Sequence, residues 1–335
     1  MVESWEHEEV VTRLGRRSGV PITVAVHSRR LGPAAGGVRL RHYPTWQDGL
    51  TDALLLSKGM TYKNAVAGLP FGGGKTVIAA PSTLTPAQRT DALADAGELI
   101  ASFEGSYLCG PDIGTTSDDM VYLRSFTPHA FCLPESHGGT GSSSGPTARG
   151  VLAALRAGLS TVFGSSSVAG RRVVVVGMGS VGSLLARSLS AQGASVAVAD
   201  VDPSRCAGYE QVPVSYAVEA DVLVPAAVGG VIGPDVRAPL VVGPANNQLV
   251  SDDVAETLSA AGVTWIPDFV ASGGGVIYTL CRETSGLDHD AALARVAAIE
   301  ETVHSVLNAA AANGTTPLAE AMTLAEDRLA ALALT

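Results

Sequence analysis

Residues 171–200 read "RRVVVVGMGSVGSLLARSLSAQGASVAVAD". Four consecutive valines make a short buried strand. Gly177, Gly179 and Gly182 follow at once as G-x-G-x-x-G, then apolar residues at helical spacing, then a second β-branched run ending in Asp200. Strand, glycine turn, helix, strand and acid in that order form the context in which this motif cradles a dinucleotide. Gly177 allows the tight turn and Gly179 lets the backbone approach a pyrophosphate. Ser180 and Val181 open the helix whose free N–H groups face the anion, and Gly182 lets that helix close on the strand. Asp200 lies about 20 residues past the first glycine, where a carboxylate accepts from the ribose 2′-OH and repels a 2′-phosphate. This points to NAD over NADP, with nearby Arg205 working against the preference. A glycine turn in a sheet that binds nothing is the weaker reading, because every feature of the set is present in order.

Short apolar runs recur downstream at 221–226, 239–243 and 263–267, so strands alternate with helices and a parallel sheet is expected. Beyond about 287 the chain reads as helix, with a break near "NGTTP" (313–317). Upstream, "TARGVLAALRAGLSTVF" (147–163) reads as a helix, and "ESHGGTGSSSGP" (135–146) as a loop or hinge. That loop contains G-S-S-S-G around Ser143, but no strand precedes it, so a hydrolase nucleophile elbow is not supported. The first part reads as a separate mixed α/β unit. "VPITVAVHS" (20–28) is a strand, 45–60 a helix capped by Thr45, 75–81 a buried strand, and 85–103 an amphipathic helix opened by Thr85 and Pro86.

The bulk composition excludes several function classes. The chain has 335 residues, 46% of them apolar and 16% charged, enough for two packed domains. A net charge of −10 argues against a nucleic-acid or anionic-membrane surface. No run of apolar residues is long enough to span a bilayer. The start, "MVESWEHEEVV", is acidic where a signal peptide is basic and then apolar, so it does not read as one, and the widely spaced cysteines make a reduced cytoplasmic setting the expectation. Cys109, Cys132, Cys206 and Cys281 are widely spaced and the seven histidines show no paired spacing, so neither a disulfide framework nor a metal site is expected.

"GLPFGGGKT" (68–76) looks like a phosphate-binding loop. A P-loop needs glycine six places before its lysine, and Leu69 stands there; Pro70 and Phe71 would also stiffen the loop. A P-loop kinase is therefore the weakest reading, and Lys75 needs another role. Lys63, Lys75 and Asp112 all sit in apolar, glycine-rich surroundings. They read as a substrate site or, as lysines usually do, as solvated surface charge.

Six segments occur together: "LGPAAGGVRL" (31–40), "GMTYKNA" (59–65), "GGGKTVI" (72–78), "GPDIGTT" (110–116), "GPANNQL" (243–249) and "PDFVASGGGVI" (267–277). In this order, and over nearly the whole length, the chain resembles the glutamate/leucine/phenylalanine/valine dehydrogenase family. The resemblance implies an α/β protein of two domains separated by a cleft: a substrate and oligomerisation domain at 1–145, a Rossmann doubly wound parallel sheet at 146–314, and a helix at 315–335 returning to the first. It implies that Lys63 holds the substrate carboxylate with the N–H of Gly37, that Lys75 is the base that activates water, and that Asp112 moves protons at the amino nitrogen. Asn247 would lie where substrate meets the nicotinamide ribose, Thr147 near the nicotinamide amide, and Ala226 against the cofactor. Met60, Ala35, Gly110, Pro111, Ser272 and Val276 would line the substrate site. A free lysine is a poor base at neutral pH; desolvation and a second cation, expected to be Lys63, would lower its pKa. Glycines 72–74 would let backbone and substrate come close.

The implied reaction is reversible NAD-dependent oxidative deamination of an L-amino acid to the 2-oxo acid and ammonia, by a homodimer or higher homo-oligomer. No extra cation for a glutamate side chain is evident. "LGPAAGG" and "GPD" match phenylalanine-type members, "GTT" the leucine type. Small Ala35 and Gly110 are expected to widen the pocket for an aromatic ring. A branched-chain substrate is the first alternative. Ser272 stands where the family carries asparagine, which keeps open a specialised substrate such as tryptophan and a non-catalytic NAD-binding regulatory protein.

Overall fold

The computed structural model describes residues 5–331, so residues 1–4 and 332–335, which include the end of the expected C-terminal helix, lie outside the described residues. The chain divides into two compact units. The first comprises residues up to Ser142 together with Thr279–Gly286 and the segment from Ala325 onward; the second comprises Ser143–Tyr278 and Leu287–Leu324.

In the first unit the order is β1 (Glu9–Leu14), β2 (Pro21–Ser28), β3 (Ala34–His42), α1 (Trp46–Val66), β4 (Gly72–Ala80), α2 (Pro86–Ala101), β5 (Tyr107–Pro111) and α3 (Ser117–Leu123). The strands form one mixed sheet in the order β1-β2-β4-β3-β5. β1, β2 and β4 run antiparallel in turn, while β3 lies parallel to both β4 and β5. Successive side chains of a strand point to opposite faces, and the two faces here differ. Val24, Val26, Val38 and Ile78 pack with Leu93, Leu99 and Ile100 of α2 and Met120 and Leu123 of α3. Ala25, Val77 and Ala79 face α1, where Ala53 and Tyr43 join them. The same alternation puts Ala35, Gly37, Arg39 and Lys75 on the α1 face.

Thr45 caps α1 with Asp48 in a capping box, and Thr85 caps α2 with Gln88, as expected from the sequence. Two elements differ from expectation. α1 runs past 60 to Val66 because its second half is buried through Ser57, Thr61, Asn64 and Ala65, small enough to lie flat on the sheet. β4 begins at Gly72, not at Lys75, so the glycine run is a fully buried strand rather than a loop. A Cβ on Gly73 would fall 2.1 Å from the Thr61 backbone N of α1, and one on Gly74 2.6 Å from the Tyr107 ring. These glycines admit neighbouring protein, which corrects the expectation that they make room for substrate.

The second unit holds α4 (Ser144–Phe163), β6 (Arg172–Val176), α5 (Ser180–Ala191), β7 (Ser195–Ala199), β8 (Glu210–Gln211), β9 (Val222–Pro225), β10 (Leu240–Val241), α6 (Val254–Ala260), β11 (Thr264–Trp265) and α7 (Asp268–Ala271). α8 (Gly274–Glu283), α9 (His289–Ala297), α10 (Ile299–Asn313) and α11 (Pro317–Ala331) follow. Six strands form a sheet in the order β11-β10-β9-β6-β7-β8, every pair parallel. Val241 and Trp265 pack with Val254 and Leu258 of α6 on one face. On the other, Leu240 and Ile266 reach the position of Gly158 in α4. The sheet is thus covered on both sides, the condition for an all-parallel sheet. α4 starts at Ser144, three residues before the expected start.

α8 and α11 each begin in the second unit and end in the first. Within the first unit, Glu283 of α8 accepts from the backbone N–H groups of Cys132 and Thr140, and Arg328 of α11 donates to the carbonyls of Ala65 and Val66 at the end of α1. No helix among the described residues is long and apolar enough to cross a membrane.

Candidate active-site residues

The first unit gathers four alternating charges on the α1 face of its sheet. Lys75 Nζ lies 2.8 Å from Asp112 Oδ2. Arg39 Nε donates to that same oxygen at 2.8 Å, and Arg39 Nη1 donates to Asp52 Oδ2 of α1 at 2.9 Å. The Tyr43 hydroxyl closes the chain on Asp52. Taking such groups from water costs several kcal/mol per ion, so they are tolerated only as a set of well-made pairs. Burial raises the Asp112 pKa, but Lys75 and Arg39 outweigh it and hold this carboxyl well below the usual range. The Lys75 pKa is lowered, first by burial; Asp112 opposes that shift and Arg39 adds to it. Arg39 is therefore a cation set against Lys75.

Backbone geometry places this group. A Cβ on Gly37 would lie 2.8 Å from Asp112 Cβ and 3.2 Å from Lys75 Nζ, so only glycine lets the pair close on β3. The Asp112 N–H and the Thr115 hydroxyl are 2.9 Å apart, and that hydroxyl donates to the Val38 carbonyl at 2.7 Å, fixing the loop after β5. Met60 and Lys63 lie on the second half of α1, both half-buried. Pro111 ends β5 in register with Val38. Ala35 is fully buried. A Cβ on Gly110 would sit 2.7 Å from the ring of Phe131. The bulk missing at 110 is filled by Phe131, which corrects the expectation that Gly110 opens a pocket.

In the second unit the glycines fit a dinucleotide. Gly177 has φ +109, and a Cβ there would strike the Ala226 carbonyl carbon at 2.7 Å. A Cβ on Gly182 would lie 1.9 Å from the Gly177 carbonyl oxygen. A Cβ on Gly179 would meet nothing within 4 Å, which is the open space a pyrophosphate needs. Ser180 and Val181 begin α5. The chain leaves β6 for β7 on one side and returns to β9 on the other. Gly177 and Ala226 thus stand at the switch point where open parallel sheets bind ligands. Asp200, at the end of β7, accepts from the N–H of Met178 at 2.7 Å and of Asp202 at 2.9 Å. These bonds, the Asp202 N–H foremost, hold its pKa below the usual value.

Thr147 belongs to the first turn of α4, its hydroxyl oxygen 2.4 Å from where a Cβ on Gly275 would stand. A Cβ on Gly274 would meet the Pro146 carbonyl oxygen at 2.3 Å. The starts of α4 and α8 therefore pack backbone to backbone. Ser272 closes α7, 7% exposed, and its hydroxyl has no hydrogen-bond partner among the described residues. A Cβ on its neighbour Gly273 would meet only ordinary contacts, none nearer than 3.4 Å. Val276 follows in α8. Asn247 has φ +51. Its loop is held by the next residue, Gln248, which donates to the carbonyls of Gly243 and Ala245 and accepts from Trp265 Nε1, while Asp268 takes the Gln248 N–H.

Arg39, Asp52 and Gln248 were not singled out by sequence reasoning. A signal existed for Arg39: two residues past Gly37 on a strand, it shares that residue's face.

The family model of the Glu/Leu/Phe/Val dehydrogenase dimerisation domain matches residues 10–129. Leucine dehydrogenase of Bacillus cereus is 34% identical over 344 residues, covering 99% of this chain and 93% of its own length. Phenylalanine dehydrogenase of Caldalkalibacillus thermarum is 35% identical, covering 97% and 91%. The crystal structure of L-tryptophan dehydrogenase from Nostoc punctiforme superposes with a TM-score of 0.79 at 30% identity, covering 98% of both chains.

Proposed function

The chain belongs to the Glu/Leu/Phe/Val dehydrogenase family, oxidoreductases that act on the CH–NH2 group of amino acids, and from that premise we propose that it catalyses reversible NAD-dependent oxidative deamination of an apolar L-amino acid. The observation that carries the reading is the buried Lys75–Asp112 pair, which Gly37 lets close on β3. A bound nicotinamide dinucleotide would take the substrate α-hydrogen as hydride. Lys63 and the Gly37 N–H hold the substrate carboxylate. Lys75, in its unprotonated form, takes a proton from the water that adds to the C=N carbon. Asp112 moves that proton to the nitrogen, the C–N bond breaks, and ammonia and the 2-oxo acid leave. Proton transfer by a positioned side chain is worth about 10²–10⁴-fold.

Gly177, Gly179, Gly182, Ala226 and Asp200 hold the dinucleotide in this proposal, and Thr147 and Asn247 its nicotinamide end. The ionised Asp200 favours NAD. Oligomers form through the first unit, a reading supported by the matching family model being that of a dimerisation domain.

An aromatic side chain is the proposed preference. Its support is the 35% identity to the phenylalanine dehydrogenase of Caldalkalibacillus thermarum. The second reading is a branched aliphatic substrate, favoured by the Phe131 ring that fills the space beside Gly110. The test is NADH formation at alkaline pH with L-Phe, L-Tyr, L-Trp, L-Leu, L-Val and L-Glu. Highest kcat/KM with an aromatic substrate supports the first reading, and highest with leucine or valine the second. Discrimination will be modest, about 10–200-fold per methylene. Lys75→Ala should abolish turnover and keep dinucleotide binding; wild-type-like rates in it would remove the proposed base.

A further inference from the structure

A base must spend part of its time unprotonated, and the Lys75–Asp112 pair alone works against that. An isolated buried lysine–carboxylate pair favours the doubly charged state, because an opposite charge at hydrogen-bond distance stabilises the ammonium. If the lysine then loses its proton, the carboxylate is left buried without a cation, a costly arrangement. Arg39 changes the balance. Its Nε donates to Asp112 Oδ2, the same oxygen that faces Lys75 Nζ, each at 2.8 Å. When Lys75 is neutral, Asp112 still has a charged donor on that oxygen. Arginine cannot lose its own proton in a protein.

Arg39 is also fixed in place. Its side chain is 7% exposed and its second anchor is Asp52 of α1 at 2.9 Å. Asp52 in turn accepts from Tyr43, whose pKa is pushed well up by burial and by Asp52, so the phenol keeps its proton. A lysine at 39 would be a point charge without the two-ended grip that a guanidinium gives.

We propose that Arg39 is a positioning residue that keeps Asp112 ionised and oriented and so lets Lys75 act as a neutral base, with Asp52 and Tyr43 as its anchor. The inference rests on the reading of Lys75 as the base. The charges that weigh most on Lys75 are Asp112 from the loop after β5, Arg39 from β3 and Asp52 from α1. His27 of β2 bonds Thr61 of α1 and is uncharged at neutral pH, since burial lowers its pKa to about 4. Lys63 lies in the last turn of α1.

The sign of the effect follows. Arg39 disfavours a proton on Lys75, so removing it raises the Lys75 pKa and moves the acid limb of the kcat/KM profile for deamination to higher pH. The experiment compares that profile in wild type, Arg39→Gln and Arg39→Lys, with thermal unfolding as the check on folding. Arg39→Gln should move the limb up by about 1–3 pH units, the usual effect of one close charge. Arg39→Lys should keep the limb within about half a unit, because the charge is retained. A lower plateau in Arg39→Gln with an unmoved limb overturns the proposal and leaves Arg39 a structural residue. Should Arg39→Gln not fold, Arg39→Met, which keeps the apolar stem and drops the charge, decides: a limb raised by about one unit or more supports the proposal, and an unmoved limb overturns it. An active Lys75→Ala enzyme with the wild-type acid limb would show instead that the base itself is misassigned.

Discussion

The two units handle charge in opposite ways. The first buries four ionised or strongly polar partners, Lys75, Asp112, Arg39 and Asp52, and makes them tolerable by pairing each with the next. The second presents almost no buried charge near its glycine turn. It offers backbone N–H groups, missing side chains and one half-exposed carboxylate, Asp200. The difference matches the two tasks proposed for them. Proton transfer needs groups whose charge can change, and a low-dielectric setting makes each neighbour count. Holding a diphosphate needs fixed dipoles and close approach, which glycine and a helix N-terminus supply without titrating.

The strongest way to break this comparison is to remove the charge at its centre. Asp112→Ala leaves Lys75 and Arg39 facing each other without the carboxylate between them. Breaking a buried ionic set by deleting one partner costs about 3–5 kcal/mol, so denaturant unfolding should register a loss of that size along with the loss of turnover. A cost below about 1 kcal/mol would show that the cluster is hydrated and behaves like surface charge. The corresponding cut in the second unit is uncharged. Gln248→Ala strips the carbonyls of Gly243 and Ala245 and the Trp265 indole of their partner. Unsatisfied buried polar groups cost about 1–3 kcal/mol, and weaker dinucleotide binding should accompany this loss if the bonds keep Asn247 in its left-handed conformation. Dinucleotide affinity equal to wild type in the variant would show that the loop holds its shape without Gln248.

The same contrast explains what the sequence revealed. The dinucleotide unit was legible because its evidence is contiguous: valines, three glycines, a helix and an acid lie within residues 171–200. The charged cluster around Lys75 was half legible. Lys75 and Asp112 stood out by their glycine-rich surroundings, but Arg39 meets Asp112 across 73 residues, and only the parallel pairing of β3 with β5 brings them together. Glycines 72–74 were misjudged as a loop because glycine disfavours strands on local grounds; the packing of α1 on β4 overrides that preference. Gly110 misled for a related reason. A missing side chain reads as open space until the residue that fills it is known, and Phe131 lies far enough along the chain to be invisible from the motif.

The smallest expected effect concerns the charge that the second unit does expose. Asp200 has two roles that a single deletion would confuse. One oxygen accepts the Met178 N–H and so braces the glycine turn, while the other accepts the Asp202 N–H. In the proposed site the carboxylate also sets a negative charge against a 2′-phosphate, and Asp202 adds a second one. The nearby cation, Arg205, is drawn to Asp202 at 3.4 Å. Asp200→Ala removes brace and charge together, so it should weaken NAD binding and narrow the gap to NADP. Asp200→Asn separates the two roles, since an amide keeps an acceptor and loses the charge. It should retain more of the NAD affinity than the alanine variant and still narrow the NAD/NADP ratio, by about tenfold if the repulsion amounts to ~1.4 kcal/mol. A ratio unchanged in both variants, with NAD affinity falling only in the alanine form, would mean that Asp200 serves the turn alone and that cofactor choice is made elsewhere in the unit.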